Sequence, residues 1–265
     1  MPNAGPGDHG TVSASANRDW DAATYDRVSG DVQMVWAQEQ LSRTSLVGDE
    51  VVLDAGCGSG RVTNLLVDLV PRGRVYGVDV APSMVAHAAA ALSDRATIFC
   101  QDLVELSPPE PVDLIFSNAT FHWIKDHDAL FGSLFAALAP GGRLVAQCGG
   151  RGNIDAFRRL ADEVASEEPF ARYFTDWVGP WNYAGAEETA ERLERAGFVD
   201  VECWLEPRPV TPADARAFVS TVCLVRHLDP LPEELRVAFV DEVLSRAGDP
   251  LVLEYMRLNM TARRP

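Results

Sequence analysis

Val51-Val52-Leu53-Asp54-Ala55-Gly56-Cys57-Gly58-Ser59-Gly60-Arg61 is the stretch on which the fold turns. A short apolar run ends in an acid, and glycines follow at every second position. Val62, Leu65, Leu66 and Leu69 then recur at helical spacing. The pattern predicts a strand, a tight turn and a helix. Glycine accepts positive φ and carries no Cβ, so the backbone can press against a ligand. The helix start offers unpaired N–H groups beside it. Such a turn suits a nucleotide-type ligand. The dinucleotide fingerprint is G-x-G-x-x-G, and Arg61 stands where its third glycine would be.

A second stretch follows, Val75-Tyr76-Gly77-Val78-Asp79-Val80-Ala81-Pro82-Ser83-Met84. It reads as a strand ending in Asp79, then a helix opened by Pro82. An acid at the end of the second strand suits hydrogen bonds to ribose hydroxyls. Together the two stretches resemble the class I S-adenosylmethionine (SAM)-dependent methyltransferases. The resemblance implies an α/β fold, a seven-stranded, doubly wound, Rossmann-like sheet with a helical cap, and SAM as cofactor. It implies Asp54 and the turn of Gly56, Gly58 and Gly60 around the methionine portion, and Asp79 on the ribose. It places Asp102 near the adenine amine, with the Leu103 backbone N–H on an adenine nitrogen. Val80 and Met84 are apolar and placed to sandwich the purine, or else to fill the core.

The 265 residues suffice for one large domain, and 47% hydrophobic residues can build a core. A net charge of −16 argues against nucleic acid as partner, since phosphate contact needs a basic face. It leaves room for a local basic pocket. The five cysteines form no C-x-x-C pair and read as buried, reduced thiols. No run reaches membrane-spanning length and none resembles a signal peptide, so a cytoplasmic protein without a membrane partner is expected. The histidines are scattered, so no metal site is expected.

In chain order, residues 1–17 read as a disordered leader. An N-terminal helical lid follows over 18–46, with Val32, Val35, Trp36 and Leu41 as its apolar face. In small-molecule methyltransferases a similar aromatic-bearing segment closes over the ligands, so Trp20 and Tyr25 either contact substrate or pack the helix on the body. The SAM-binding core is expected over 47–206, a helical cap insertion over 207–248 and the final strand of the core over 249–265. The loop with Phe170, Tyr173, Phe174, Trp177, Trp181 and Tyr183 either walls an apolar cavity or pins itself to the body.

The fourth predicted strand, Val112–Ser117, leads into Asn118-Ala119-Thr120-Phe121-His122-Trp123-Ile124. Ligands in open α/β sheets sit outside the carboxyl ends of strands. Asn118 to Trp123 should therefore lie where the cofactor methyl meets the substrate. Asn118 is assigned to the cofactor, Phe121 and Trp123 to the substrate. His122 is the candidate catalytic residue, as a base or as an orienting group, the alternative being a structural residue. The run from Ser117 to His127 resembles that of trans-aconitate methyltransferases and their relatives, which make methyl esters of small carboxylic acids. There the usual aromatic-Gln-Trp step is Phe121-His122-Trp123 in this chain. The resemblance implies methyl transfer to a small molecule, first of all to a carboxylate. The alternatives are C-, N- or hydroxyl O-methylation of a natural-product intermediate, or SAM binding without catalysis. Arg226 and Arg151 are either clamps for a carboxylate or surface arginines of an arginine-rich chain. Oligomeric state is not legible in the sequence.

Overall fold

The computed structural model describes residues 33–265. The expected leader, the start of the lid, Trp20, Tyr25 and Val32 lie outside them. Helix α1 is described over 33–41 and buries Trp36, Ala37, Gln40 and Leu41, while Val35 is exposed. The predicted apolar face is therefore turned by about one residue, because Gln40 is drawn into a buried polar network.

The glycine-rich stretch folds as expected, with β1 Val51–Ala55 followed by α2 Arg61–Leu69. Next come β2 Arg74–Asp79, α3 Pro82–Leu92, β3 Thr97–Cys100 and β4 Val112–Asn118. Pro82 sits in the first turn of α3, where its missing N–H costs nothing. Asp126 caps α4, His127–Ala137, by accepting from Ala129 N at 2.8 Å. β5 Leu138–Gly149, α5 Asp155–Ala165, α6 Ala186–Arg195 and β6 Val199–Val210 follow. The chain ends with α7 Ala215–Phe218, α8 Glu233–Arg246 and β7 Leu253–Arg263.

The seven strands make one sheet in the order β3-β2-β1-β4-β5-β7-β6. β1 to β5 run parallel, and β7 runs antiparallel to both neighbours. Strand order reverses between β1 and β4, which opens a crevice at their carboxyl ends. Strands covered on both faces read as continuous apolar runs. Leu114, Ile115 and Phe116 of β4 are accordingly fully buried.

β6 runs to Val210, four residues beyond the expected core boundary at 206, and its last pair is Val210 with Leu253. The helices between them thus hang from the far end of a long hairpin. They share a core with α5 and α1, in which Trp36, Phe157, Phe170, Phe218, Phe239 and Tyr255 are buried. The five cysteines are free, but Cys100 is exposed and Cys203 half-buried. The edge position of β3 uncovers Cys100, a correction to the expected burial.

Candidate active site

The turn after β1 is built from backbone. Gly56 N and Cys57 N both donate to Val78 O, at 2.8 and 2.9 Å, which holds the loop on the end of β2. Gly56 lies at φ +83°, and a Cβ there would fall 2.1 Å from Thr120 Oγ1. Gly58, at φ +53°, has nothing within 4 Å of a built Cβ. A Cβ on Gly60 would come within 3.0 Å of Ala88. One glycine thus admits the segment after β4, one faces open space, and one lets α2 and α3 meet.

Asp79 ends β2 and its carboxylate accepts from Gly58 N and Ala81 N, both at 2.9 Å. Burial raises its pKa from the ordinary carboxylate value, against those backbone N–H bonds. Asp54 is only 1% exposed and takes a 2.7 Å bond from Thr63 Oγ1 on α2. Burial pushes its pKa up to about 7; the Thr63 bond opposes this and the nearby Asp79 charge adds to it. The two acids of the motif are therefore unlike. Asp79 braces the open glycine, whereas Asp54 ties β1 to the helix behind it.

Beyond β2, Val80 is 45% exposed while Met84 is buried. Asp102 is exposed and accepts from Val104 N at 3.1 Å, opening a short turn in which Leu103 is buried. Asn118, at the end of β4, donates from Nδ2 to Gln33 O at 3.4 Å. Its Oδ1 is buried, and among the described residues no donor reaches it. The open Gly58 cradle, the exposed Val80 and this buried acceptor fit a ligand bearing a purine, a ribose and an amine.

Ala119 follows at φ +59°, a costly conformation for a side chain with a Cβ. Its N–H donates to Gln147 O at 2.7 Å, which holds it there. The next turn, Phe121–Trp123, has three residues per turn, so neighbouring side chains point about 120° apart. Phe121 therefore turns into the core, fully buried against Phe131. It is not among the residues that line the pocket. His122 and Trp123 do line it.

That pocket lies between β4, α1, the aromatic loop and the cap, a cleft of about 610 Å³ of which much is open to solvent. Trp36, Trp123, Trp181, Tyr183, Phe218 and Tyr255 give it aromatic walls. The aromatic loop serves both expected ends. Trp181 and Tyr183 face the pocket, while Phe174 and Trp177 pack on His227. Lys125 Nζ fastens the loop by donating to Gly179 O at 2.8 Å.

His122 is buried, with its ring stacked on Tyr183 at 5.7 Å. Gly149 N donates to its Nδ1 at 3.3 Å. Nδ1 is thus an acceptor, so the proton of the neutral ring resides on Nε2. Burial, then the positive charge of Arg257, holds its pKa well below the ordinary 6.5. His122 is consequently a neutral N–H donor whose basic lone pair is already used. Tyr183 is likewise kept protonated, its pKa raised to about 12 by burial.

Among the described residues that line the pocket, Arg257 is the only one with a fixed charge. It lies on β7, is 2% exposed, and packs over Trp36 at 4.6 Å. Its Nε donates to Gln147 Oε1 at 3.0 Å. Gln147 Nε2 donates to Asn259 Oδ1 at 2.8 Å, and Gln40 Nε2 reaches the same oxygen at 3.4 Å. This network fixes the guanidinium and α1 together. Sequence reasoning passed over Arg257, although its signal was there. Tyr255, Arg257 and Asn259 alternate with Met256, Leu258 and Met260 in an apolar strand, and a charge on such a face needs a reason. The expected clamps lie elsewhere. Arg226 pairs with Asp229 at 3.3 Å behind Trp123, and Arg151 pairs with Glu188 at the surface.

Residues 52–142 match a family model described as a methyltransferase domain. Over 93% of its length the chain is 33% identical to a trans-aconitate 2-methyltransferase of Methylobacterium nodulans, covering 98% of that protein. It is 34% identical to one of Variovorax paradoxus, with 84% of this chain and 87% of that one aligned. Among solved structures it superposes on phosphoethanolamine N-methyltransferase 2 of Haemonchus contortus in complex with SAM, TM-score 0.60 at 21% identity. That match covers 92% of this chain and 56% of the other. It also superposes on geranyl diphosphate C-methyltransferase of Streptomyces coelicolor, TM-score 0.53 at 16% identity, over 89% of this chain and 80% of that one.

Proposed function

From a chain that belongs to the trans-aconitate 2-methyltransferase family, and so is a SAM-dependent methyltransferase, we propose an enzyme that converts a small carboxylic acid to its methyl ester. When bound, SAM supplies a sulfonium methyl, whose C–S bond breaks with its electron pair left on sulfur as a carboxylate oxygen bonds the carbon. Asp79 and the Gly56–Gly60 turn would hold the ribose and methionine portions, with Asp54 bracing the turn through Thr63. Asn118 Oδ1 would accept from the amine, and Val80, Met84, Asp102 and Leu103 would frame the adenine.

One observation carries the choice of substrate: the pocket holds a fixed cation and no described side chain poised to take a proton. A carboxylate is ionised at neutral pH and needs no base. A phenol or an amine would have to lose a proton, and His122 offers an N–H where a base is needed. The chain's own residues then act by positioning and by excluding water. The free cysteines suit a reducing compartment, which fits a cytoplasmic location. No helix among the described residues is long and apolar enough to cross a membrane.

The test is turnover with methyl-labelled SAM over a panel of small carboxylic acids, phenols and amines. A labelled product that alkali cleaves is expected. An alkali-stable product would overturn the carboxylate reading and return the question to methylation at carbon, nitrogen or a hydroxyl.

A further inference from the structure

Tyr183 stands between two backbone anchors. Asn182 N donates to His122 O at 2.8 Å, and Arg151 N donates to Ala184 O at 2.8 Å. Asn182 Nδ2 adds bonds to Ile124 O at 3.3 Å and Lys125 O at 3.0 Å, which fasten the end of the aromatic loop to the turn that carries His122. The ring is fixed as well. It stacks on Trp181 at 6.3 Å and on His122 at 5.7 Å, with the Arg158 guanidinium 5.1 Å from its centre. Gly149 makes room for it, since a Cβ there would fall 2.6 Å from Tyr183 Cε1. That glycine thus serves both rings, His122 through its N–H and Tyr183 through its missing Cβ.

The phenol oxygen is placed with the same economy. Asn153 lines the pocket and is 3% exposed. Its Oδ1 accepts from Met256 N at 3.1 Å, which leaves Nδ2 as the donor in its hydrogen bond with Tyr183. A phenol that accepts there keeps its own O–H for another acceptor. Cys223 and Arg257, which also line the pocket, lie close enough to act on the phenol electrostatically, so the oxygen end of Tyr183 belongs to the pocket along with its ring. Tyr255, the other tyrosine there, differs: its hydroxyl lies 3.7 Å from Cys223 Sγ.

We propose that Tyr183 is a substrate-binding residue whose hydroxyl donates to one oxygen of the acid while the other oxygen meets the cofactor methyl. The inference rests on the ester-forming reading above. A neutral donor suits that step. Methylation turns a charged carboxylate into an uncharged ester, so a hydrogen bond to it is strongest before the reaction and weakens as the charge is lost. Tyr183 therefore contributes affinity and orientation, and it lets the ester go. No proton moves. The placement is set by Asn153, Gly149 and the anchors of the loop, so it holds whichever further groups reach the acid from other sides.

The experiment uses the full chain with methyl-labelled SAM, two acids, trans-aconitate and trans-cinnamate, and a phenol of matched size. Titration calorimetry of each acid into protein saturated with S-adenosylhomocysteine reads binding apart from turnover. Tyr183→Phe removes one oxygen and keeps the stacked ring. For the better acid it should lower kcat/KM about ten- to hundredfold, most of it through KM, while SAM affinity stays within about threefold. Thermal melts report folding, and the parent protein gives a second reading that needs no variant. Its kcat/KM should stay level from about pH 8 to 10, because a donor that keeps its proton does not titrate there. Around the phenol His122 is neutral in that range, Cys223 is pushed up to about 12, Tyr255 lies above its ordinary value, and Arg158 and Arg257 stay charged. A climb of about tenfold per unit over that range would make Tyr183 a base and overturn the inference. A folded Tyr183→Phe with unchanged acid affinity and kcat/KM, or with SAM affinity lost in equal measure, would also overturn it and leave the ester reading standing. Labelling of the phenol alone, or neither binding nor turnover of either acid, would overturn both.

Discussion

The two halves of the cleft are built by different means. At the ends of β1 and β2 the work falls to backbone. Val78 O gathers two N–H groups of the glycine turn, and Asp79 takes a third from Gly58. Beyond β4 it falls to side chains from remote parts of the chain, His122 after β4 and Arg257 on β7, oriented by Gly149 and Gln147. A backbone cradle depends on a few contiguous residues and a fixed strand order. A side-chain pocket depends on which faces of distant elements meet, and each can change alone. Such a fold can keep its cofactor and exchange its substrate.

The sharpest way to break the comparison lies within the cradle. Gly56→Ala puts a Cβ 2.1 Å from Thr120 Oγ1 at a backbone angle that resists it. The segment after β4 must then move, at a cost of about 3 kcal/mol or more. Gly58→Ala meets nothing within 4 Å and bears only the strain of positive φ, about 1 kcal/mol. Gly56→Ala is expected to lower Tm far more, whereas Gly58→Ala should fold and lose SAM affinity in calorimetric titration. Equal Tm losses would mean that Gly58 is there for the fold and faces no ligand.

A smaller effect is expected across the cleft. His122→Gln retains an N–H donor but has no basic nitrogen. If His122 orients the substrate, kcat should fall by no more than about tenfold, the scale of a misplaced hydrogen bond. Removing a general base would cost 10²–10⁴-fold, about the same in Gln as in Ala. A His122→Gln rate as low as that of His122→Ala would return His122 to the role of base.

The same contrast governs what could be read from the sequence. The glycine turn, Asp79 and the strand–helix alternation through β5 were legible because each is a local pattern with one physical solution. The reversal of strand order followed from the family likeness carried by those motifs. The substrate side was legible only in part. Phe121 and His122 are neighbours in sequence, and only the three-residue turn decides that one enters the core and the other the pocket. Arg226 was a candidate clamp, and only the fold shows it paired with Asp229 and packed on Trp123. Arg257 carried a signal, a charge within an apolar strand, but only the fold buries it beside Trp36 of α1.

Asp54 tests whether every acid of the motif belongs to the cradle. Its folded pKa of about 7 lies above the ordinary 3.8, so the folded state binds this proton more tightly than the unfolded chain. The stability it contributes is full below about pH 4 and is lost as pH rises through about 7. Three units correspond to about 4 kcal/mol at most, and relaxation around the carboxylate will shrink that. Asn at this position keeps an acceptor for Thr63 and does not titrate. Asp54→Asn is therefore expected to exceed the parent Tm by a few degrees at pH 8 and by clearly less at pH 5, in protein without SAM. A Tm lowered equally at both values would mean that the Thr63 bond needs the charge. Asp54 would then be held as an ionised clamp between β1 and α2, with its cost met by contacts along the strand.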